Sequence, residues 1–150
     1  MGKYFEDFTV GDTFITPART ITETDVVNFT GLSGDSNPVH TDHEFVKGTN
    51  FGKVIAHGAL GFSVATGLIA RTGLFDGTAI AFLEVTDWKF KQPIFVNDTV
   101  HVAFEVVQLK ETKNPERGVI VRDVEIVNQN AQVVQSGKMT LMLRRRAVDQ

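Results

Sequence analysis

Apolar residues fall at every second position through much of the second half of the chain. Val100, Val102, Phe104 and Val106 alternate with Thr99, His101, Ala103 and Glu105, the period of a strand with one buried face. Ile120, Val124 and Ile126 share one face of the next run, and Met139, Leu141 and Leu143 share one face of the last. Residues 79–90 predict a fourth strand and residues 13–20 a fifth. Hairpin turns are expected at 113–118, around Asn114-Pro115 and Gly118, and at 128–130. The first half reads differently. Thr22 and Asp25 form a helix-start pattern leading into Val26, Val27 and Phe29, with Gly31 as the expected stop. Gly34, Asn37 and Pro38 mark a turn-rich run, and a short helix is expected over 42–47. Residues 57–71 predict a helix that is apolar all round and therefore buried on most sides. Gly58, Gly61 and Gly67 lie within it. Glycine costs a helix interior ~0.8–1 kcal/mol against alanine, so these positions imply close packing. One long buried helix with consecutive antiparallel strands predicts an α+β domain, its sheet of about five strands wrapped on the helix. Such a sheet covers one side of the helix, and loops or a partner must cover the other.

The chain has 150 residues, with 15 Lys and Arg against 18 Asp and Glu, a formal net charge of −3. That length suits one domain, 1–150, able to bury a core without staples. Hydrophobic residues are 42% and charged residues 22%, which excludes a mainly disordered chain. The mild acidity offers no general attraction for nucleic acid or anionic lipid. With no cysteine, disulfides, thiolate metal sites and a cysteine nucleophile are excluded. The first residues carry early acids and no apolar core, so neither a secretory signal nor a transit peptide is predicted. Met1-Gly2 lacks the downstream Ser or Thr of a myristoylation site. The longest uncharged stretch, 54–70, is short for a membrane span and is broken by His57, Ser63 and Thr66. A soluble cytoplasmic protein is expected, with neither a nucleic-acid nor a membrane partner.

The chemistry concentrates in Gly34-Asp35-Ser36-Asn37-Pro38-Val39-His40. A carboxylate and an imidazole stand five residues apart around a rigid turn, and His exchanges protons near neutral pH. Pro38 fixes its own φ and disfavours a helical conformation at Asn37. Farther on, His57-Gly58 opens the long helix, whose first N–H groups and dipole end can polarise a carbonyl. The bare pattern has an ordinary reading as well, a turn in which Asp and Asn bond the local backbone.

The wider arrangement resembles the MaoC-like, or (R)-specific enoyl-CoA hydratase, family. The resemblance is carried by Phe29 to His40, by Phe51-Gly52-Lys53-Val54-Ile55-Ala56-His57-Gly58, and by Trp88 to Val100 with its Gln92-Pro93 turn. One departure is Val46, where the family usually has Ala or Ser; the larger side chain is expected to narrow or reshape an acyl pocket. The resemblance implies a hotdog fold, a homodimer or higher homo-oligomer, and reversible hydration of a trans-2-enoyl-CoA thioester to the (R)-3-hydroxyacyl-CoA. Asp35 and His40 would hold the water. Asp35 would take its proton and His40 supply one to C2, or the reverse. Asn37 would orient the pair, the Gly58 N–H would bind the thioester oxygen, and Ser63 would support the site. No metal or redox cofactor is implied, since the thioester itself activates C2 and C3.

Plainer readings accompany these. His57 is expected either to support the site, chiefly through its neighbour Gly58, or to cap or pack the helix start, and Ser63 could bond the carbonyl four residues back. His40, Asp42, His43 and His57 are conceivable metal ligands, though in no recognised spacing. His43 and His101 are expected at the solvated surface. Arg144-Arg145-Arg146 is expected to be a solvated strand end or, alternatively, a contact for CoA phosphates. Phe29, Phe62 and Phe82 are candidate pocket walls. The competing functions are a thioesterase, a 3-hydroxyacyl-carrier-protein dehydratase and a non-catalytic acyl-CoA binding module, since one fold hosts many chemistries.

Overall fold

The computed structural model describes residues 1–147. After a single 3-10 turn at Phe5–Asp7 the chain forms β1 (Thr13–Ile15), β2 (Arg19–Thr20), α1 (Glu23–Ser33), α2 (Pro38–Thr41), α3 (His43–Val46) and α4 (Gly58–Ala70). It then forms β3 (Ala79–Phe90), β4 (Thr99–Glu111), β5 (Arg117–Val127) and β6 (Val133–Arg144). The strands make a six-stranded antiparallel sheet in the order β1-β4-β5-β6-β3, with β2 also paired to β4. The expected fifth strand is thus two short ones, because Pro17 interrupts the run.

The sheet wraps α4. Leu60, Val64 and Leu68 pack against Val102, Phe104, Val124, Ile126 and Met139, all buried, each strand supplying alternate residues as its pattern predicts. A second cluster joins Phe5 and Phe8 to Val106, Ile120, Leu141 and Leu143. Two of the α4 glycines fit the close-packing expectation. A Cβ on Gly61 would come 2.4 Å from Gln135 Nε2 and 2.7 Å from Ile94 Cδ1, and one on Gly58 would come 2.8 Å from the Phe90 ring. Gly67 differs, since a Cβ there would meet nothing. Ala59, Ser63, Gly67 and Ala70 form an exposed stripe, so α4 is covered on one side rather than on most.

Three local expectations are corrected. Helix α1 runs through Gly31 to Ser33 and stops at Gly34, whose φ of 76° puts it in the left-handed region. Pro38 starts helix α2 rather than only breaking a helix, because proline lacks just the N–H that a first helical residue does not use. Gly118 belongs to strand β5, not to the turn; the Phe5 ring lies against it, 2.3 Å from where a Cβ would be.

Candidate active site

The loop between α1 and α2 presents Asp35, and α2 presents His40. Each step of their placement has a local cause. Thr22 caps α1 by accepting from the Asp25 N–H, and the Asp25 carboxylate accepts from the Thr22 N–H in return. At the far end Ser33 Oγ accepts from the Asp35 N–H at 3.1 Å. Asn37 Oδ1 accepts from the Val39 N–H at 3.2 Å, capping α2. The Asn37 N–H in turn donates to Asp35 Oδ1 at 3.2 Å. Asn37 therefore orients the pair through the backbone turn, leaving the other carboxylate oxygen free.

That oxygen, Asp35 Oδ2, faces His40 Nε2 at 3.9 Å, with the imidazole 10% and the carboxylate 55% exposed. The gap is too long for a direct hydrogen bond. His40 Nδ1 lies 2.8 Å from the Ile55 carbonyl oxygen. A carbonyl only accepts, so Nδ1 carries the proton and the neutral ring offers a lone pair at Nε2. The Ile55 carbonyl is itself fixed: the Ile55 N–H donates to Val39 O, and the following Ala56 N–H donates to Ile94 O at 2.7 Å. Two acceptors thus face each other across a space that one water, donating a hydrogen to each, would bridge.

His57 lies underneath. It is 3% exposed and stacks on His40 with ring centroids 3.8 Å apart and planes 25° apart. Its Nε2 reaches the Asp35 carbonyl oxygen at 2.9 Å and Thr30 Oγ1 at 3.3 Å. Thr30 Oγ1 donates to the Val26 carbonyl, so both partners of Nε2 accept and Nε2 carries the proton. Phe29 packs against the His57 ring, tilted by 57° with centroids 5.0 Å apart. His57 makes no side-chain cap hydrogen bond to α4; it supports the loop that holds Asp35 and the ring of His40.

Asp35, His40 and His57 bring ligand-type atoms within 4.8 Å of one another. The stacking does not suit a shared ion, because a metal sits in the plane of each imidazole that binds it and these planes are nearly parallel. The other conceivable ligands are engaged elsewhere. Asp42 caps α3 through the Glu44 and Phe45 N–H groups, and exposed His43 meets Glu23 at 2.6 Å.

A cavity of about 420 Å³ is bordered by Phe51, Ile55, Gly58, Phe90, Pro93 and Gln135; neither Asp35 nor His40 lines it, and Ile55, whose carbonyl meets His40, connects it to the pair. Gly58 begins α4 there, and its first-turn N–H groups have no intrahelical partners. Gln135, 2% exposed, clamps this helix end. Its Nε2 donates to the Gly58 carbonyl at 3.1 Å, while its Oε1 accepts from Trp88 Nε1 at 3.1 Å. Local pattern gave no role to Phe51, Phe90, Ile55 or Gln135 as walls and supports. The available signals were the resemblance around 51–58 and 88–100 and a glutamine in an otherwise buried stretch.

Other expected residues sit apart. Ser63 is on the exposed stripe of α4, its Oγ donating to the Ala59 carbonyl at 2.8 Å. Val46 is fully buried in the main core and does not border the cavity. Phe29, Phe62 and Phe82 do not border it either; Phe62 packs edge-on to Trp88. Arg145 pairs with Glu6 at 2.8 Å and Arg146 with Asp7 at 2.7 Å, which occupies two of the three terminal arginines within the chain. No helix among the described residues is long and apolar enough to cross a membrane.

Comparison with known proteins bears on this geometry. The family described as MaoC like domain matches residues 7–129. "Protein MaoC" of Klebsiella aerogenes is 38% identical over 100 residues, 67% of this chain; the chain spans only 29% of that protein's length. A protein of Rhodospirillum rubrum named (R)-specific enoyl-CoA hydratase is 33% identical over 110 residues, 73% of this chain and 74% of that one. A conserved hypothetical protein of Mycobacterium tuberculosis with a double hotdog fold superimposes with a TM-score of 0.86 over 99% of this chain and 46% of that one. At 21% identity it shows the fold alone: an α+β hotdog.

Proposed function

The chain belongs to the MaoC-like dehydratase family, and from that premise we propose that it is an (R)-specific enoyl-CoA hydratase. It adds water reversibly to a trans-2-enoyl-CoA to give the (R)-3-hydroxyacyl-CoA. The observation that carries this reading is the 3.9 Å separation of two acceptors, Asp35 Oδ2 and His40 Nε2, beside the N-terminus of α4.

The thioester lies in the cavity along Gly58 and Phe90, its oxygen on the free N–H groups that open α4. Those groups stabilise the enolate-like charge that develops there. Water between Asp35 and His40 attacks C3. As its oxygen bonds to C3, one O–H bond breaks and that proton passes to His40 Nε2. His40 then returns the proton to C2 as the enolate collapses, and the neutral ring is restored. Asp35 stays ionised and holds the other hydrogen of the water, now the product hydroxyl. This gives both proton transfers to His40, where the sequence reading divides them between Asp35 and His40 in one order or the other, because the Ile55 carbonyl keeps the neutral ring's proton on Nδ1. The thioester supplies the activation, so the reaction needs neither metal nor redox cofactor, and the stacked imidazoles suit proton transfer better than a shared ion.

The working unit in this reading is a homodimer or larger homo-oligomer. Support comes from β3, an edge strand exposing Phe82, Leu83 and Val85 at 48%, 46% and 41%; an apolar edge of this kind is ready to pair. A chain without cysteine fits a cytoplasmic enzyme. Hydration of crotonyl-CoA by the purified protein, followed by loss of the enoyl-thioester absorbance, tests the activity. Release of free thiol without hydration would assign a thioesterase instead. Turnover only with the carrier-protein thioester would move the substrate from CoA to carrier protein.

A further inference from the structure

Arg122 breaks the pattern of its own strand. Ile120, Val124 and Ile126 share one buried face of β5, Val124 and Ile126 in the cluster with α4 and Ile120 in the cluster with Phe5 and Phe8. Arg122 occupies the same row and is 2% exposed. Among the described residues no carboxylate pairs with it, and its buried Nε has no hydrogen-bond partner. Its guanidinium lies over Phe75 at 5.0 Å and near Phe104 at 5.8 Å. Those ring faces attract the cation but satisfy none of its N–H donors, which lie in the guanidinium plane. Burial pushes the group down to about 10 with no anion opposing the shift, so it stays charged at neutral pH. An uncompensated buried charge is costly, and a matching anion would relieve the cost.

The structure also holds a place for that anion. Arg122 borders a cavity of about 140 Å³ between the C-terminal half of α4 and the sheet, walled by Thr66, Ile69, Ala70, Phe82 and Leu141. The space is a groove open on one side and lined mainly by apolar side chains, so it suits a small ring or a short chain. Ala70 and Gly58 are at opposite ends of the 13-residue α4, about 18 Å apart at 1.5 Å per residue. This cavity is therefore distinct from the one bordered by Gly58 and Ile55.

We propose that the cavity binds the carboxylate end of a small apolar group, its body against α4 and Phe82 and its two oxygens on the Arg122 guanidinium. Arginine's planar fork matches a carboxylate with two parallel hydrogen bonds. The carboxylate has two sources, a free acid or the far end of an ω-carboxyacyl thioester already held at the acid-base pair. Only the second source rests on the hydratase reading.

Calorimetric titration of the intact protein with benzoate and hexanoate tests the free-acid source, with benzyl alcohol and hexanol as uncharged counterparts. The acids are expected to bind saturably and the alcohols about tenfold more weakly or worse. Arg122→Met should lose about tenfold or more of the acid affinity. Ala70→Phe, on an exposed helix position, should lose it by filling the cavity and guards against a folding defect in the first variant. For the thioester source, Arg122→Met should raise KM for an ω-carboxy enoyl-CoA about tenfold while leaving that of the unsubstituted enoyl-CoA of equal length unchanged. The proposal is overturned if neither arm depends on Arg122, or if Arg122→Met only dissociates an oligomer whose parent binds no carboxylate. Failure of the parent to hydrate any enoyl thioester would end the hydratase reading yet leave the titration arm intact.

Discussion

Asp35→Asn separates the charge of the carboxylate from its shape. Asp35 Oδ1 already accepts from the Asn37 N–H, so an asparagine in the same pose keeps that bond through its own Oδ1. Its NH₂ then stands where Oδ2 stood. A water placed about 2.8 Å from both Oδ2 and His40 Nε2, atoms 3.9 Å apart, subtends about 88° between them, close enough to its own H–O–H fork for two slightly bent bonds. With an NH₂ on one side the water must accept there, and its attacking lone pair is turned toward the amide. A positioned acid-base group contributes about 10²–10⁴-fold, which corresponds to about 2.7–5.4 kcal/mol of transition-state stabilisation at 1.36 kcal/mol per tenfold. The side chain is 55% exposed and keeps its backbone partner, so folding stability should stay within about 0.5 kcal/mol. The assay is steady-state hydration of crotonyl-CoA with thermal unfolding of the same sample. A folded Asp35→Asn protein turning over within tenfold of the parent would refute the water clamp.

His40→Ala should lose hydration at least as completely, and it should cost more stability than Asp35→Asn because the Ile55 carbonyl loses its donor and His57 its stacked neighbour; turnover and denaturant titration check both. Gly31→Ala should stabilise the protein by about 0.8–1 kcal/mol, since it lies inside α1 with open space around it. Gly34→Ala should cost about 1–2 kcal/mol for its left-handed φ, and the two denaturation midpoints must therefore move in opposite directions. Asp25 is held below the usual carboxylate range: partial burial pushes it up, but the Thr22 hydrogen bonds and the Arg19 guanidinium outweigh that. A lowered folded-state value means stability present above the unfolded carboxylate range and lost as pH falls through the folded one. Asp25→Asn should flatten the acid limb of the stability curve below about pH 4, and an unchanged limb would contradict the assignment.

The elements whose cause is local were legible in the sequence. The Thr22–Asp25 box, the alternation of Val100 to Val106 and the apolar run from Gly58 each carry their own period or cap. The Asp35–His40 spacing was legible too, because one short turn sets it. Misreadings arose where distant chain decides. Whether Gly31 or Gly34 ends α1 depends on which position must take positive φ, and Gly118, a turn residue by its neighbours Asn114 and Pro115, is a strand glycine because the Phe5 ring fills the space beside it. The clamp of Gln135 on Gly58 spans 77 residues of sequence and the hold of Ile55 on His40 spans 15. Neither leaves a periodic trace. Arg122 left one, as the polar break in the Ile120–Ile126 row.

The bond from His40 to Ile55 uses the main chain of residue 55 and nothing of its side chain. Almost any residue there would present the same accepting carbonyl, so this hold on the His40 tautomer is inherited without a recognisable letter in the sequence. Proline is the exception, because the Ile55 N–H is committed to Val39 O. The side chain, meanwhile, forms part of the cavity wall. If the proposed hydration is this chain's reaction, one position carries two separable traits, a fixed chemical one in its backbone and a variable selective one in its side chain, and drift can retune which acyl groups fit while the proton path stays as it is.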